Sequence, residues 1–184
     1  MLAVKRIMRY IKGTIDYGLL YSKQNLEECT GYSDADWAGD SSERKSTSGY
    51  AFMLSGATIS WNSSKQTCVA LSTAESEYVA LSNTAQEGVW LQNLLKDIGY
   101  VFSGPMVICE DNTAAISIAN DSQCTKKTKH IEIKYHYVRD QIINGRICLK
   151  HCGTNDMIAD VLTKSLSPEK FEKARKMLGL TCIN

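Results

Sequence analysis

The stretch "TSGYAFMLSGATISWNSSKQTCVALSTAESEYVAL" (residues 47–81) decides the fold. Its first two thirds are rich in β-branched and aromatic residues and are broken by glycine and by Asn62-Ser63-Ser64, the pattern of strands joined by turns. Its last third opens on Ser72-Thr73-Ala74-Glu75, a capping box with Ser72 as N-cap and Glu75 folding back from the third helical position. A sheet therefore hands over directly to a long helix, expected to continue through "ESEYVALSNTAQEGVWLQNLLKDIG" and to end at Gly99.

Upstream, "GYSDADWAGD" (31–40) supplies the first of three consecutive antiparallel strands, expected near 30–36, 47–55 and 58–70. Before it, "LAVKRIMRYIKG" (2–13) sets Val4, Ile7, Met8 and Ile11 at helical spacing and stops at Gly13, and "DYGLLYSK" reads as a short strand. Downstream of Pro105, "MVICED" is a short apolar strand expected to lie inside the sheet, followed by the helix "TAAISIAN". "GRICLKH" is the last strand expected, and "NDMIADVLTK" and "SPEKFEKARKMLGL" are two closing helices. Pro168 falls early in the second of these, where a missing N–H does no harm. The order predicts an α/β domain in which helices flank a five-stranded mixed sheet whose first three strands are antiparallel.

The 184 residues suit one domain, with or without an appendage. Twenty-one lysines and arginines against twenty acids predict no partner from net charge. The segment "CTKKTKHIEIKYHYVRD" (124–140) nevertheless concentrates Lys126, Lys127, Lys129, Lys134 and Arg139, as phosphate contact requires. Seven scattered cysteines without a CxxC pair, and no signal peptide, imply a reduced, intracellular chain. No apolar run approaches the ~18 residues of a membrane span.

Four acids stand where strands end or where a helix flanks the sheet. Asp34 lies near the end of the first strand, Glu77 sits in the second turn of the long helix, Asp111 follows "MVICE", and Asp160 lies in "MIADVLTK". If they converge, their mutual repulsion demands cations, and hard oxygen donors favour Mg²⁺ or Mn²⁺. Spacing alone leaves Asp34 and Asp36 tied, since both lie on one strand face. Glu75 already serves the capping box, which favours Glu77. Asp111 has a competing use as cap of the helix that follows, and Asp160 as a first-turn acid.

The motifs "GYSDADWAGD…RKSTSGYAFMLSGATISWNSSKQTCVALSTAESEYVAL", "EDNTAA", "TKHIEIKYHYVRDQI" and "DMIADVLTK" closely resemble the ribonuclease H region of copia-type retrotransposon Pol polyproteins. The likeness runs from about residue 2 to 178. It implies a ribonuclease H-like fold for residues 26–166, preceded by a tether (1–25) to an absent reverse transcriptase and followed by a C-terminal helix and tail (167–184). On that view the chain is a piece of a longer element.

The resemblance implies an Asp34–Glu77–Asp111–Asp160 site and resolves the tie in favour of Asp34. It implies two Mg²⁺ ions roughly 4 Å apart, replaceable by Mn²⁺, that hydrolyse the RNA strand of an RNA–DNA hybrid in a cytoplasmic virus-like particle. His151 is the positional candidate for the histidine that family enzymes often use near the site. Lys126, Lys127, Lys129 and Arg139 are the candidates for backbone contact, and His130 and His136 have no assigned chemistry. Two other readings compete. His130, His136, Cys148 and Cys152 could form a zinc site, though H-x5-H and C-x3-C miss the usual spacings. Alternatively the chain is a catalytically inactive hybrid-binding module, against which the intact acidic quartet argues.

Overall fold

A computed structural model of the chain describes residues 2–22, 28–39, 42–121 and 129–183, without the side chains of residues 129–132. In chain order the elements are α1 (Leu2–Gly13), β1 (Tyr17–Leu19), β2 (Thr30–Asp36), β3 (Thr47–Leu54), β4 (Ala57–Lys65), α2 (Thr73–Asp97) and β5 (Met106–Glu110). There follow α3 (Thr113–Asn120), α4 (Lys129–Ile143), β6 (Ile147–His151), a 3-10 turn (Thr154–Asp156), α5 (Asp160–Thr163), α6 (Pro168–Met177) and β7 (Leu180–Cys182). The main sheet has the order β4-β3-β2-β5-β6, antiparallel through β2 and parallel from β2 to β6. This is the five-stranded mixed sheet expected, with β5 in the interior.

β4 ends at Lys65 rather than continuing to residue 70. The cause is Gln66, whose buried amide donates to Ser48 Oγ (2.8 Å) and to the carbonyl of Ser76 (2.9 Å). A buried polar group must find partners, and these two tie the sheet edge to the start of α2. There Ser72 caps the helix, accepting from Glu75 N–H, while the Glu75 carboxylate accepts from Leu71 N–H at 2.8 Å. The first half of α2 is buried all round, from Ser76 to Ser82, because the sheet covers one side and α3 and α4 the other. Trp90 is 55% exposed and its neighbour Leu91 only 4%, so the second is core and the first is surface.

α4 is not among the elements expected from the sequence. Tyr135, Val138 and Ile142 recur at three- and four-residue spacing and pack on the core formed by Tyr78, Leu81, Ile108 and Ile147. The rings of Tyr78 and Tyr135 stack with centroids 4.1 Å apart. Ile133 and Ile143 are exposed, which masks the helical period.

The two chain ends meet. β1 pairs antiparallel with β7, Tyr17 opposite Cys182 and Leu19 opposite Leu180. The Arg175 guanidinium lies over the Tyr17 ring at 4.4 Å. Gly179 makes this junction possible. It adopts φ +80°, and a Cβ there would come 2.6 Å from Ala57. The residues of α1 at helical spacing, Val4, Ile7, Met8 and Ile11, are all exposed. Among the described residues, no helix is long and apolar enough to cross a membrane.

Candidate metal centre

β2 and β5 lie side by side in parallel, and the register pairs Ser33 with Glu110. The next residues, Asp34 and Asp111, therefore emerge at one end of the sheet. Asp34 is fully buried and Asp111 half-buried. Glu77 reaches the same point from α2, where Ala35 N–H donates to its carboxylate. Oxygens of Asp34, Glu77 and Asp111 all lie within 4.8 Å of one another.

Local structure explains why these acids and not their neighbours come together. Glu75 folds back on the helix start, so Glu77, two positions on, is the acid that turns toward the sheet. α3 is capped by Asn112, whose Oδ1 accepts from Ala114 and Ala115 N–H at 3.0 Å each. The competing use of Asp111 as a cap is thereby taken by the next residue. Asp36 lies at the end of β2 and lays its carboxylate across Gly39, in the turn that follows.

The cluster is electrostatically strained. Burial, then the charges of Asp34 and Asp111, push the Glu77 carboxyl up to about 9. Burial also raises Asp34, against hydrogen bonds from Lys164 and Thr163 that favour its charged form. Glu77 Oε2 is buried without a hydrogen-bond partner. Three crowded carboxylates, one carrying an orphaned oxygen, fit a hard divalent cation, which would supply the missing positive charge.

Asp160 is the first residue of α5, on the opposite face of the sheet from α2, and is brought in through a lysine. Lys164 Nζ donates to Asp160 Oδ1 at 2.8 Å and to Asp34 Oδ1 at 2.9 Å, while Thr163 Oγ1 donates to Asp34 Oδ2. Burial works against the lysine's charge, but the bonds to Asp160 and Asp34 outweigh it and raise its pKa. α5 sits this close because Gly49, paired with Asp34 on β3, has no Cβ. One would lie 2.7 Å from Thr163 Cγ2 and 3.0 Å from Leu162 Cβ.

The chain carrying this site has relatives of known origin. It is 40% identical over 181 residues to the retrovirus-related Pol polyprotein from transposon RE1 of Arabidopsis thaliana, covering 98% of the chain. It is 39% identical over 178 residues to that from transposon TNT 1-94 of Nicotiana tabacum, covering 97% of the chain. Its homologues are retrovirus-related Pol polyproteins of transposons. The chain spans 12% of the RE1 polyprotein and 13% of the TNT 1-94 polyprotein. No family model matches it.

Among solved structures it resembles LC11-RNase H1 in complex with an RNA/DNA hybrid (TM-score 0.52, 12% identity, 74% of this chain and 94% of that one). It also resembles the foamy viral protease-reverse transcriptase in complex with an RNA/DNA hybrid (TM-score 0.55, 14% identity, 79% of this chain and 21% of that one). At such identities the likeness establishes the fold, and the fold is that of ribonuclease H.

The remaining residues singled out in this Pol-related sequence are dispersed. His151 is exposed at the end of β6, paired in register with Glu110. Lys126 and Lys127 lie outside the described residues, as do the side chains of Lys129 and His130. Arg139 donates from its guanidinium to the carbonyl of Ile118, tying α4 to α3. Among the described residues, the group of His, Cys, Asp or Glu side chains placed to share a metal is Asp34, Glu77 and Asp111. Sequence reasoning missed three participants. Lys164 and Thr163 touch Asp34 directly. Glu110 is fully buried, held well above the usual carboxylate range by burial and the nearby Glu77. Only Lys164 left a trace, standing four residues after Asp160 at the spacing of a helical ion pair.

Proposed function

We propose that this chain hydrolyses the RNA strand of RNA–DNA hybrids, using divalent cations held by Asp34, Glu77 and Asp111, with Asp160 completing the site. The observation that carries the reading is the convergence of three buried or half-buried carboxylates within 4.8 Å on a ribonuclease H fold. When bound, two Mg²⁺ ions would activate a water and neutralise the leaving 3′-oxygen, giving 5′-phosphate and 3′-hydroxyl ends.

The chain's own residues do the rest. Asp34 lies between the Glu77–Asp111 pair and Asp160, so it is the carboxylate able to serve both halves of the site. Thr163 donates to Asp34 Oδ2 and fixes the orientation of that carboxylate. Glu77 is steadied by Ala35 N–H and offers its unpartnered oxygen to a cation. His151, exposed beside the β5 end, is the group that would carry a proton to the departing product.

Hybrid recognition would rest on backbone shape and 2′-hydroxyls, with Lys126, Lys127 and Lys129 against phosphates. Arg139, on α4, is a further proposed phosphate contact, although its guanidinium already serves α3. On this reading, which the similarity to Pol polyproteins supports, the activity belongs to reverse transcription, with the reverse transcriptase of a Pol polyprotein as proposed partner and a cytoplasmic virus-like particle as proposed setting.

The test is digestion of a hybrid uniformly labelled in the RNA strand, with single-stranded RNA and duplex DNA as controls. Mg²⁺-dependent cleavage of the hybrid alone, lost in Asp111→Asn, is the expected result. Hybrid binding without cleavage would support the inactive binding module instead.

A further inference from the structure

We propose that Lys164 is an internal cation occupying the Asp34–Asp160 half of the site, so that the two halves load metal in order and the second divalent ion must displace the lysine. The inference rests on the reading of this cluster as a metal site and concerns how that site is filled.

The two halves differ in what neutralises them. On one side Asp34, Glu77 and Asp111 crowd together, and Glu77 Oε2 has no partner. On the other side Lys164 Nζ sits between Asp34 Oδ1 and Asp160 Oδ1, at 2.9 and 2.8 Å. Those are the distances of full charge-assisted hydrogen bonds. The Asp34 side chain is fully buried, so salt screens this pair less than it would a surface ion pair. With all four carboxylates ionised, as metal binding requires, the one ammonium leaves three formal negative charges. A first divalent ion entering between Asp34, Glu77 and Asp111 leaves one. A second, entering beside an ammonium that already takes one oxygen from each of Asp34 and Asp160, meets a cation in its place.

Lys164 is built to leave. It follows the last residue of α5, its backbone is extended (φ −124°, ψ 150°), and its side chain is 34% exposed. The ammonium therefore has a path to water that requires side-chain rotation and no helix melting. Thr163, which donates to the other Asp34 oxygen, holds the carboxylate in place while the lysine moves. The device keeps a buried aspartate paired in the metal-free protein and makes complete loading depend on divalent concentration.

The measurement is Mn²⁺ binding to the whole chain without nucleic acid, by calorimetry and by the electron paramagnetic resonance signal of free Mn²⁺. The wild type should bind one ion well and a second weakly. Lys164→Met should tighten the second step by about tenfold or more and leave the first nearly unchanged. Lys164→Arg, which keeps the charge, should retain the weak second step. In metal-free buffer Lys164→Met should melt below the wild type and recover more on adding Mn²⁺. This readout separates loss of a counter-ion from misfolding. Equal second-step affinity in wild type and Lys164→Met, with the first step intact, overturns the proposal and leaves the metal site standing. Absence of any Mn²⁺ binding in both proteins overturns the metal site and this proposal together.

Discussion

Asn112, and not its neighbour Asp111, caps α3: Asn112 Oδ1 accepts from two backbone N–H groups, and the Asp111 carboxylate turns to Asp34 and Glu77. Adjacent residues at the end of β5 thus divide a structural task from a chemical one. Asn112→Ala should therefore cost about 1 kcal/mol of stability, as for a typical lost N-cap. Asp111→Asn should leave metal-free stability undiminished, because it removes one of several crowded like charges. Urea unfolding of both variants in chelator checks the contrast.

Glu77 is raised from 4.5 to about 9, and Asp34 and Glu110 are raised as well. Between pH 4.5 and about 9 the folded, metal-free protein holds a proton at Glu77 that the unfolded chain has released. Stability from this group is complete below the unfolded value and is lost as pH rises toward the folded one. The melting midpoint in chelator should fall across that window, and Glu77→Gln should fall less. Saturating Mn²⁺, which favours the ionised carboxylates, should oppose the loss.

Gly49 is where α5 touches the sheet. A Cβ there meets Thr163 Cγ2 at 2.7 Å and Leu162 Cβ at 3.0 Å. Gly49→Ala should destabilise by roughly 1–3 kcal/mol, the range for overpacking a close contact. It should also move Thr163 and Lys164 away from Asp34 and lower Mn²⁺ affinity, which Gly31→Ala, under the Phe52 ring on the other face, should not do directly. Parallel calorimetric titrations of the two variants make the comparison.

Gly179→Ala tests the junction of the chain ends. With φ +80° and Ala57 2.6 Å from the added Cβ, it should open the β1–β7 pair. Hydrogen exchange should accelerate at Leu20 and Ile183, whose amides donate to Gly179 and Asp16 carbonyls. Exchange in β2 and β5 should stay slow.

The parts of the site that were legible in the sequence are those set by local rules. The capping box occupies Glu75 and directs attention to Glu77, the end of β5 locates Asp111, and the last residues of β2 narrow the remaining choice to Asp34 or Asp36, which only the family resemblance decides. What was not legible depends on partners far along the chain. Gln66 ends β4 because Ser48 and Ser76 receive its amide, which no window around Gln66 reveals. β7 is three residues long and is specified by β1, 161 residues away in sequence at the Leu19–Leu180 pair. α4 hides behind the exposed Ile133 and Ile143. The inward turn of Lys164 follows from Gly49 letting α5 approach Asp34, and a lysine in "LTKS" carries no sign of it.

The most direct measurement is single-turnover cleavage of an RNA–DNA hybrid, labelled in the RNA strand, by the wild type and Glu77→Gln at matched folded content. The account predicts Mg²⁺-dependent cutting of the RNA strand by the wild type and at least about a hundredfold loss in the variant. Equal rates in the two proteins, or cutting that persists in chelator, would contradict it.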